Sequence, residues 1–159
     1  MSEFRLSSPL VKDGDTLPMS AVFEGGNQSL PLSWTGAPEG TKSYAISCYD
    51  PDAPTGSGFW HWMVINIPAS VTELPADAGR ADNSLLPAGA RQMRSDYGDY
   101  CFGGANPPKG DQPHRYIFTV MAISEEALDL PEGITTAATG FNLHFKTLAK
   151  ASFTAYFGQ

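Results

Sequence analysis

Arg115-Tyr116-Ile117-Phe118-Thr119-Val120-Met121-Ala122-Ile123 is the stretch that decides the fold. Nine residues dense in aromatic and β-branched side chains, with no Gly or Pro among them, read as a strand at the centre of a sheet. Working outward, Ser43 to Tyr49 alternates, with Tyr44, Ile46 and Cys48 on one face and Ala45, Ser47 and Tyr49 on the other. Met63-Val64-Ile65-Asn66-Ile67 is an apolar run closed by Pro68, as expected of a strand buried on both faces. Pro31 to Trp34 reads as a short strand, and Ser152 to Phe157 as a closing one with Phe153, Ala155 and Phe157 inward. Between the strands lie turn signals, Asp13-Gly14-Asp15, Glu24-Gly25-Gly26-Asn27 and Pro38-Glu39-Gly40. Ser124 to Leu128 is expected to form a short capped helix. Thr135 to Ala149 is expected to form a longer one, capped by Thr135 or Thr136 and burying Ala138, Phe141, Phe145 and Leu148. Strands come first, then a helix, then a last strand, with no βαβ rhythm. The expectation is a mostly β protein, antiparallel sheets packed as a sandwich with one or two peripheral helices.

The chain has 159 residues, enough for one domain, residues 1–159, with a core that needs no disulfide or metal. Its 16 Gly and 13 Pro exceed the usual ~12% without reaching low complexity, which suits many turns and short strands. A formal net charge of −7 and no Lys/Arg run argue against nucleic acid and against anchoring to anionic membrane surfaces. The acidity is uneven, because residues 91–115 hold four Lys/Arg against three Asp. The first residues lack a leader pattern, no apolar stretch reaches the ~18 residues of a membrane span, and two cysteines are too few for a disulfide scaffold. The expectation is a cytoplasmic protein with Cys48 and Cys101 reduced.

Two segments concentrate chemistry. Asp50-Pro51-Asp52-Ala53-Pro54 ends one strand and, after Thr55-Gly56-Ser57-Gly58-Phe59, leads to Trp60-His61-Trp62. Gly103-Gly104-Ala105-Asn106-Pro107-Pro108-Lys109-Gly110 leads to His114-Arg115-Tyr116. Each rigid loop thus delivers a histidine to the start of a strand. A histidine binds an anion when protonated or a metal when neutral, and Asp50 at a strand end can fix one ring's tautomer. Backbone N–H groups near Gly104 and Asn106 can form an anion nest. The bland alternatives are core histidines, turn-forming aspartates and two tryptophans sharing one strand face. His144, on the helix, reads as a surface residue. There is no Cys-x-x-Cys, His-Glu-x-x-His, Gly-x-Ser-x-Gly or Gly-Lys-Ser/Thr motif. Two His and one Asp leave an iron triad open without demanding it.

Taken together, Asp50-Pro51-Asp52-Ala53-Pro54, Trp60-His61, the Pro107-Pro108-Lys109-Gly110 run and His114-Arg115-Tyr116 resemble the phosphatidylethanolamine-binding protein family. The length, the segment from Ser57 to Trp62 and Phe141-Asn142 resemble its bacterial Raf-kinase-inhibitor-like branch. The resemblance spans nearly the whole chain. It implies one large and one small antiparallel sheet, Greek-key-like, with a small anion pocket at one end. The matching ligand positions are Asp50, His61, Pro107 and His114, with Asn106 where the family often has Gly. Asp52, Pro54, Trp60, Gly104 and Tyr116 are expected to support the pocket. A counterpart of the longer eukaryotic C-terminal extension, with its helix beside the pocket, is not expected here.

The function expected is binding, without turnover, of a small anionic or phosphorylated molecule. No catalytic residue, metal or cofactor is assigned, since no Ser, Thr or Cys has a spacing that pairs it with a histidine. The alternative is a hydrolase using the same His and Asp residues. By family analogy a kinase or protease is a candidate protein partner. A homodimer is left open, with Tyr97, Tyr100 and Phe102 either covering such an interface or packing within their own loop.

Overall fold

The computed structural model describes residues 3–159 and shows two antiparallel sheets. The strands are β1 (Arg5–Ser7), β2 (Leu32–Thr35), β3 (Ser43–Asp50), β4 (Phe59–Pro68), β5 (Glu73–Leu74), β6 (Arg91–Gln92), β7 (His114–Ile123) and β8 (Thr147–Phe157). The small sheet runs β1-β2-β5 and the large one β6-β4-β3-β7-β8. The sheets face each other over one core that includes Trp34, Ile46, Trp62, Val64, Phe118 and Phe153. A second cluster, with Ala45, Met63, Ile65, Met121 and Leu143, fills the other face of the large sheet beneath the helix α1 (Thr136–His144). This is the sandwich expected from the alternating strands. No helix among the described residues is long and apolar enough to cross a membrane.

Three local expectations are corrected. Ser124 to Leu128 forms no helix; the chain bends there, and Asn66 holds it by bonding both the N–H and the C=O of Leu128, at 2.8 and 3.1 Å. Thr135 caps α1 by accepting from Ala138 N–H at 3.0 Å, but the helix stops at His144. From Thr147 the chain pairs with β7, Thr147 opposite Ile123 and Ala149 opposite Ala122, so ladder bonds to a central strand override the helical spacing. The buried face of α1 is Thr136, Thr139 and Leu143, while Phe141 and Phe145 are each 66% exposed.

β4 starts at Phe59, four residues earlier than the apolar run suggests, and it is bulged. Tyr49 lies opposite Trp60 and Cys48 opposite Trp62, leaving His61 as an extra residue in the ladder. A bulge of this kind breaks the two-residue alternation. Trp62 therefore joins the inter-sheet core, whereas Trp60 packs on the helix side with its ring centroid 4.2 Å from that of Tyr49. The two tryptophans do not share a face.

Residues 69–113 contain only the two-residue strands β5 and β6 and are otherwise irregular. They are nonetheless fixed in place along β4. Met93 N–H donates to Met63 O at 2.8 Å, Asp96 N–H to Trp60 O at 2.9 Å and Gly103 N–H to His61 O at 3.0 Å. Gly104 then passes beneath the 19–23 segment so closely that a Cβ on it would lie 2.6 Å from Ala21 O and 2.7 Å from Phe23 N. Gly104→Ala is expected to cost about 2 kcal/mol or more of unfolding free energy, as overpacking against backbone does. Chemical denaturation checks this; an unchanged midpoint would mean the close approach does not hold the loop.

Candidate functional site

In the large sheet β3 lies between β4 and β7, antiparallel to both. The end of β3 and the starts of β4 and β7 therefore meet at one edge. That register brings together Asp50, Phe59, His61, His114 and Tyr116, far apart in sequence. They line a cleft of about 210 Å³ with Ala53, Pro54, Thr55, Tyr97, Asn106, Pro107 and Pro108. The two prolyl loops form its mouth and the strand ends its floor.

Asp50 is almost fully buried and both of its oxygens are engaged. Oδ1 accepts from Asp52 N–H at 2.8 Å, and Oδ2 lies 2.7 Å from Nδ1 of His114. The other ring nitrogen of His114, Nε2, lies 3.0 Å from Oδ2 of Asp111. Burial works against the charged form of His114, but the hydrogen bonds and charges of Asp50 and Asp111 outweigh it and raise its pKa.

His61 is held differently. Its backbone C=O accepts from Gly103 N–H, and its Nδ1–H donates to Gly103 O at 2.8 Å. A carbonyl only accepts, so Nδ1 carries the proton and Nε2 is left without a protein partner among the described residues. Phe59, Tyr97 and Tyr116 surround the ring edge-to-face at centroid distances of 5.0, 5.5 and 5.3 Å respectively. Burial is the largest influence on His61 and lowers its pKa, despite the raising effect of Gly103, Asp50, Gly104 and Asp96. The Tyr116 hydroxyl is buried and makes no well-formed hydrogen bond among the described residues, with the Asp50 carboxylate as its neighbouring acceptor. Burial first, then the charge of Asp50, holds it well above the usual phenol range.

Three residues expected to support the pocket lie outside its lining. Asp52 accepts from Arg115, whose backbone N–H, Nε and Nη2 donate at 2.8, 3.0 and 2.9 Å, and these bonds lower the Asp52 pKa. That pair fastens the Asp50–Pro54 loop to the start of β7. Trp60 is on the opposite face. Gly104 lies behind the wall, its N–H donating to Asn27 Oδ1 at 2.7 Å and its C=O accepting from the Tyr97 hydroxyl at 2.7 Å. Ala105 N–H donates to Ala21 O at 3.1 Å. The amides of Gly103, Gly104 and Ala105 thus bond within the protein, and this part of the loop is no anion nest.

Asn106 stands at the exposed rim, where its Oδ1 accepts from Gln159 Nε2 at 3.3 Å. Among the described residues no group of three or more His, Cys, Asp and Glu side chains is arranged to hold a metal ion. At His114, both ring nitrogens already face carboxylates. Cys48 and Cys101 are unpaired.

Tyr97 and Asp111 were not among the candidate ligand or support residues. Tyr97 walls the cleft and Phe102 is buried against Trp62, leaving Tyr100 as the exposed member of the aromatic trio. The signal for Asp111 was its spacing of three residues from His114 within a Gly/Pro turn.

The two rings are displaced in opposite senses from the ordinary histidine value of 6.5. The stabilisation from His114 is therefore fully present below pH 6.5 and is lost as pH rises through its raised folded value. That from neutral His61 is present above pH 6.5 and is lost as pH falls through its lowered folded value. An NMR titration of the unliganded protein should show His61 protonating below 6.5 and His114 above it; the reverse order would contradict the geometry.

Residues 7–158 match the family model described as phosphatidylethanolamine-binding protein. "UPF0098 protein YbcL" of Escherichia coli K12 is 51% identical over 156 residues, covering 95% of this chain and 85% of that protein. "UPF0098 protein YbhB" of the same strain is 49% identical over 158 residues, covering 96% of this chain and 99% of that one. The crystal structure of E. coli YbcL, described as a new member of the mammalian PEBP family, superposes with a TM-score of 0.96 at 50% identity and 99% coverage of both chains.

Proposed function

This chain belongs to the phosphatidylethanolamine-binding protein family, and from that premise we propose that it binds a small anionic or phosphorylated molecule in the cleft at the end of the large sheet, without chemical turnover. The observation that carries the reading is the Tyr116 hydroxyl, a buried donor at the cleft that makes no well-formed hydrogen bond among the described residues. Leaving such a group unpaired costs roughly 1–3 kcal/mol, which an anion oxygen would recover. Nε2 of His61 supports the same reading. In the neutral ring it is an acceptor, and on protonation it becomes a second donor into the cleft. Charge-assisted bonds contribute roughly 1.5–3 kcal/mol each, so a few of them suit a ligand of weak to moderate affinity.

Binding is favoured over hydrolysis because no hydroxyl at the cleft is hydrogen-bonded to a histidine among the described residues, and two of them have other partners. Thr55 Oγ1 donates to Gly58 O at 2.5 Å and Tyr97 to Gly104 O at 2.7 Å. Neither is hydrogen-bonded to a histidine that would activate it. Turnover of a generic phosphate or carboxylic ester, abolished by His61→Ala, would overturn this reading.

Inorganic phosphate or O-phosphoserine, titrated under NMR, should move the ring resonances of both His61 and His114. Tyr116→Phe should weaken that binding about tenfold, equivalent to ~1.4 kcal/mol, while leaving the unliganded protein at least as stable, since the orphaned hydroxyl is gone. Unmoved histidine resonances, or an unaffected affinity in the variant, would refute the assignment.

A further inference from the structure

We propose that Asp111 is a positioning residue of this cleft: by accepting from Nε2 of His114 while Asp50 accepts from Nδ1, it keeps the ring doubly protonated and the cleft floor receptive to an anion. The proposal rests on the anion-binding reading above and adds a residue that does not touch the ligand cleft.

The geometry carries it. A neutral imidazole has one N–H, and an ionised carboxylate only accepts. His114 has a carboxylate oxygen at each nitrogen, 2.7 Å away at Asp50 and 3.0 Å away at Asp111. Both contacts are hydrogen bonds only if the ring is an imidazolium. The His114 side chain is 4% exposed, so solvent contributes little to holding that charge. Burial is in fact the largest single influence on the ring and favours its neutral form. Two carboxylates outweigh it; with Asp50 alone, the balance moves back toward neutral.

The surroundings offer no substitute for Asp111. From β3, Cys48 is a buried thiol whose pKa burial raises; in the loop that follows, Asp52 feels the charge of His114 but its oxygens are engaged with Arg115. From β4, His61 is the ring whose pKa burial lowers. From β7, Tyr116 is an un-ionised phenol, and Arg115 is turned to Asp52. Tyr97 is likewise a phenol with its pKa pushed up to about 12, and Tyr156 lies beyond Asp111 in the outer recess.

The protonation of His114 matters to a ligand because Asp50 lines the cleft. An arriving anion meets the Asp50 carboxylate directly. Beside an imidazolium that charge is balanced, whereas beside a neutral ring it repels. Asp111 acts from the other side. It lines a separate recess with Asp52, Gln112, Pro113, His114, Arg115 and Tyr156, and its side chain is 40% exposed there. Gly110, at φ +91°, turns the chain so that Asp111 reaches back to the ring three residues on.

The test compares wild type, Asp111→Asn and Asp111→Glu in two measurements. In the unliganded proteins, NMR between pH 5 and 9 should show His114 losing its proton at a lower pH in Asp111→Asn, with Asp111→Glu restoring most of the difference. In calorimetric titrations with inorganic phosphate, the ratio of wild-type to Asp111→Asn affinity should grow at least threefold across the interval between the two midpoints. An unmoved His114 midpoint in Asp111→Asn overturns the proposal. An affinity ratio constant with pH also overturns it, since that is what a merely structural loop contact would give. Should wild type bind no phosphate at any pH, the anion-binding reading fails by itself, and the His114 midpoints still decide whether Asp111 sets the charge of the ring.

Discussion

In a regular strand that sends Trp62 into the inter-sheet core, His61 would point to the opposite face, toward the helix. The extra residue opposite Cys48 removes that alternation, so His61 and Trp62 are both presented on the core side. Trp62 plugs the core against Phe102, and His61 sits at its open end. The bulge also aims the His61 carbonyl at Gly103, and the paired bonds between these two residues draw the 103–108 loop over the sheet edge. Without that extra residue the cleft would lose its ring, its far wall and the fixed Nδ1–H tautomer together.

The charge arrangement follows from where each histidine meets the sheet. His61 is surrounded by aromatic rings and a carbonyl, so burial keeps it neutral at ordinary pH. His114 is held between carboxylates, so its charge is favoured against burial. One cleft therefore contains a proton acceptor and a proton-bearing ring side by side. In the proposed binding, an anion meets a balanced Asp50–His114 pair, the Tyr116 hydroxyl and a ring nitrogen able to take up a proton. The −7 net charge slows the approach of an anion at long range, but screening limits that field to about 10 Å at 0.1 M salt, and the contacts within the cleft are far shorter.

Much of this was legible in the residues. The alternation of 43–49 and the apolar density of 115–123 fixed two neighbouring strands of the large sheet, and two His-delivering loops pointed to one end of it. What was hidden had physical causes. A bulge is an extra residue, and side-chain periodicity carries no mark of it, so Trp60 and Trp62 were expected on one face. The helical spacing of Phe141, Phe145 and Leu148 was real, yet β7 offers 147–149 a ladder partner and Leu143 fills the space under α1. Tyr97 and Asp111 belong to a long segment whose path is set by hydrogen bonds to β4 and by a turn at Gly110. Neither leaves a periodic trace. Gly104 was singled out as a source of amide donors, and its importance is instead the absence of a Cβ.

The claim that binds these parts together is that an anion entering the cleft brings a proton to Nε2 of His61. Isothermal titration calorimetry of O-phosphoserine binding near pH 7.5, repeated in buffers of different ionisation enthalpy, measures this directly. Net proton uptake on binding, absent in His61→Gln, is the predicted result. Binding without proton exchange, or with proton release, would contradict it.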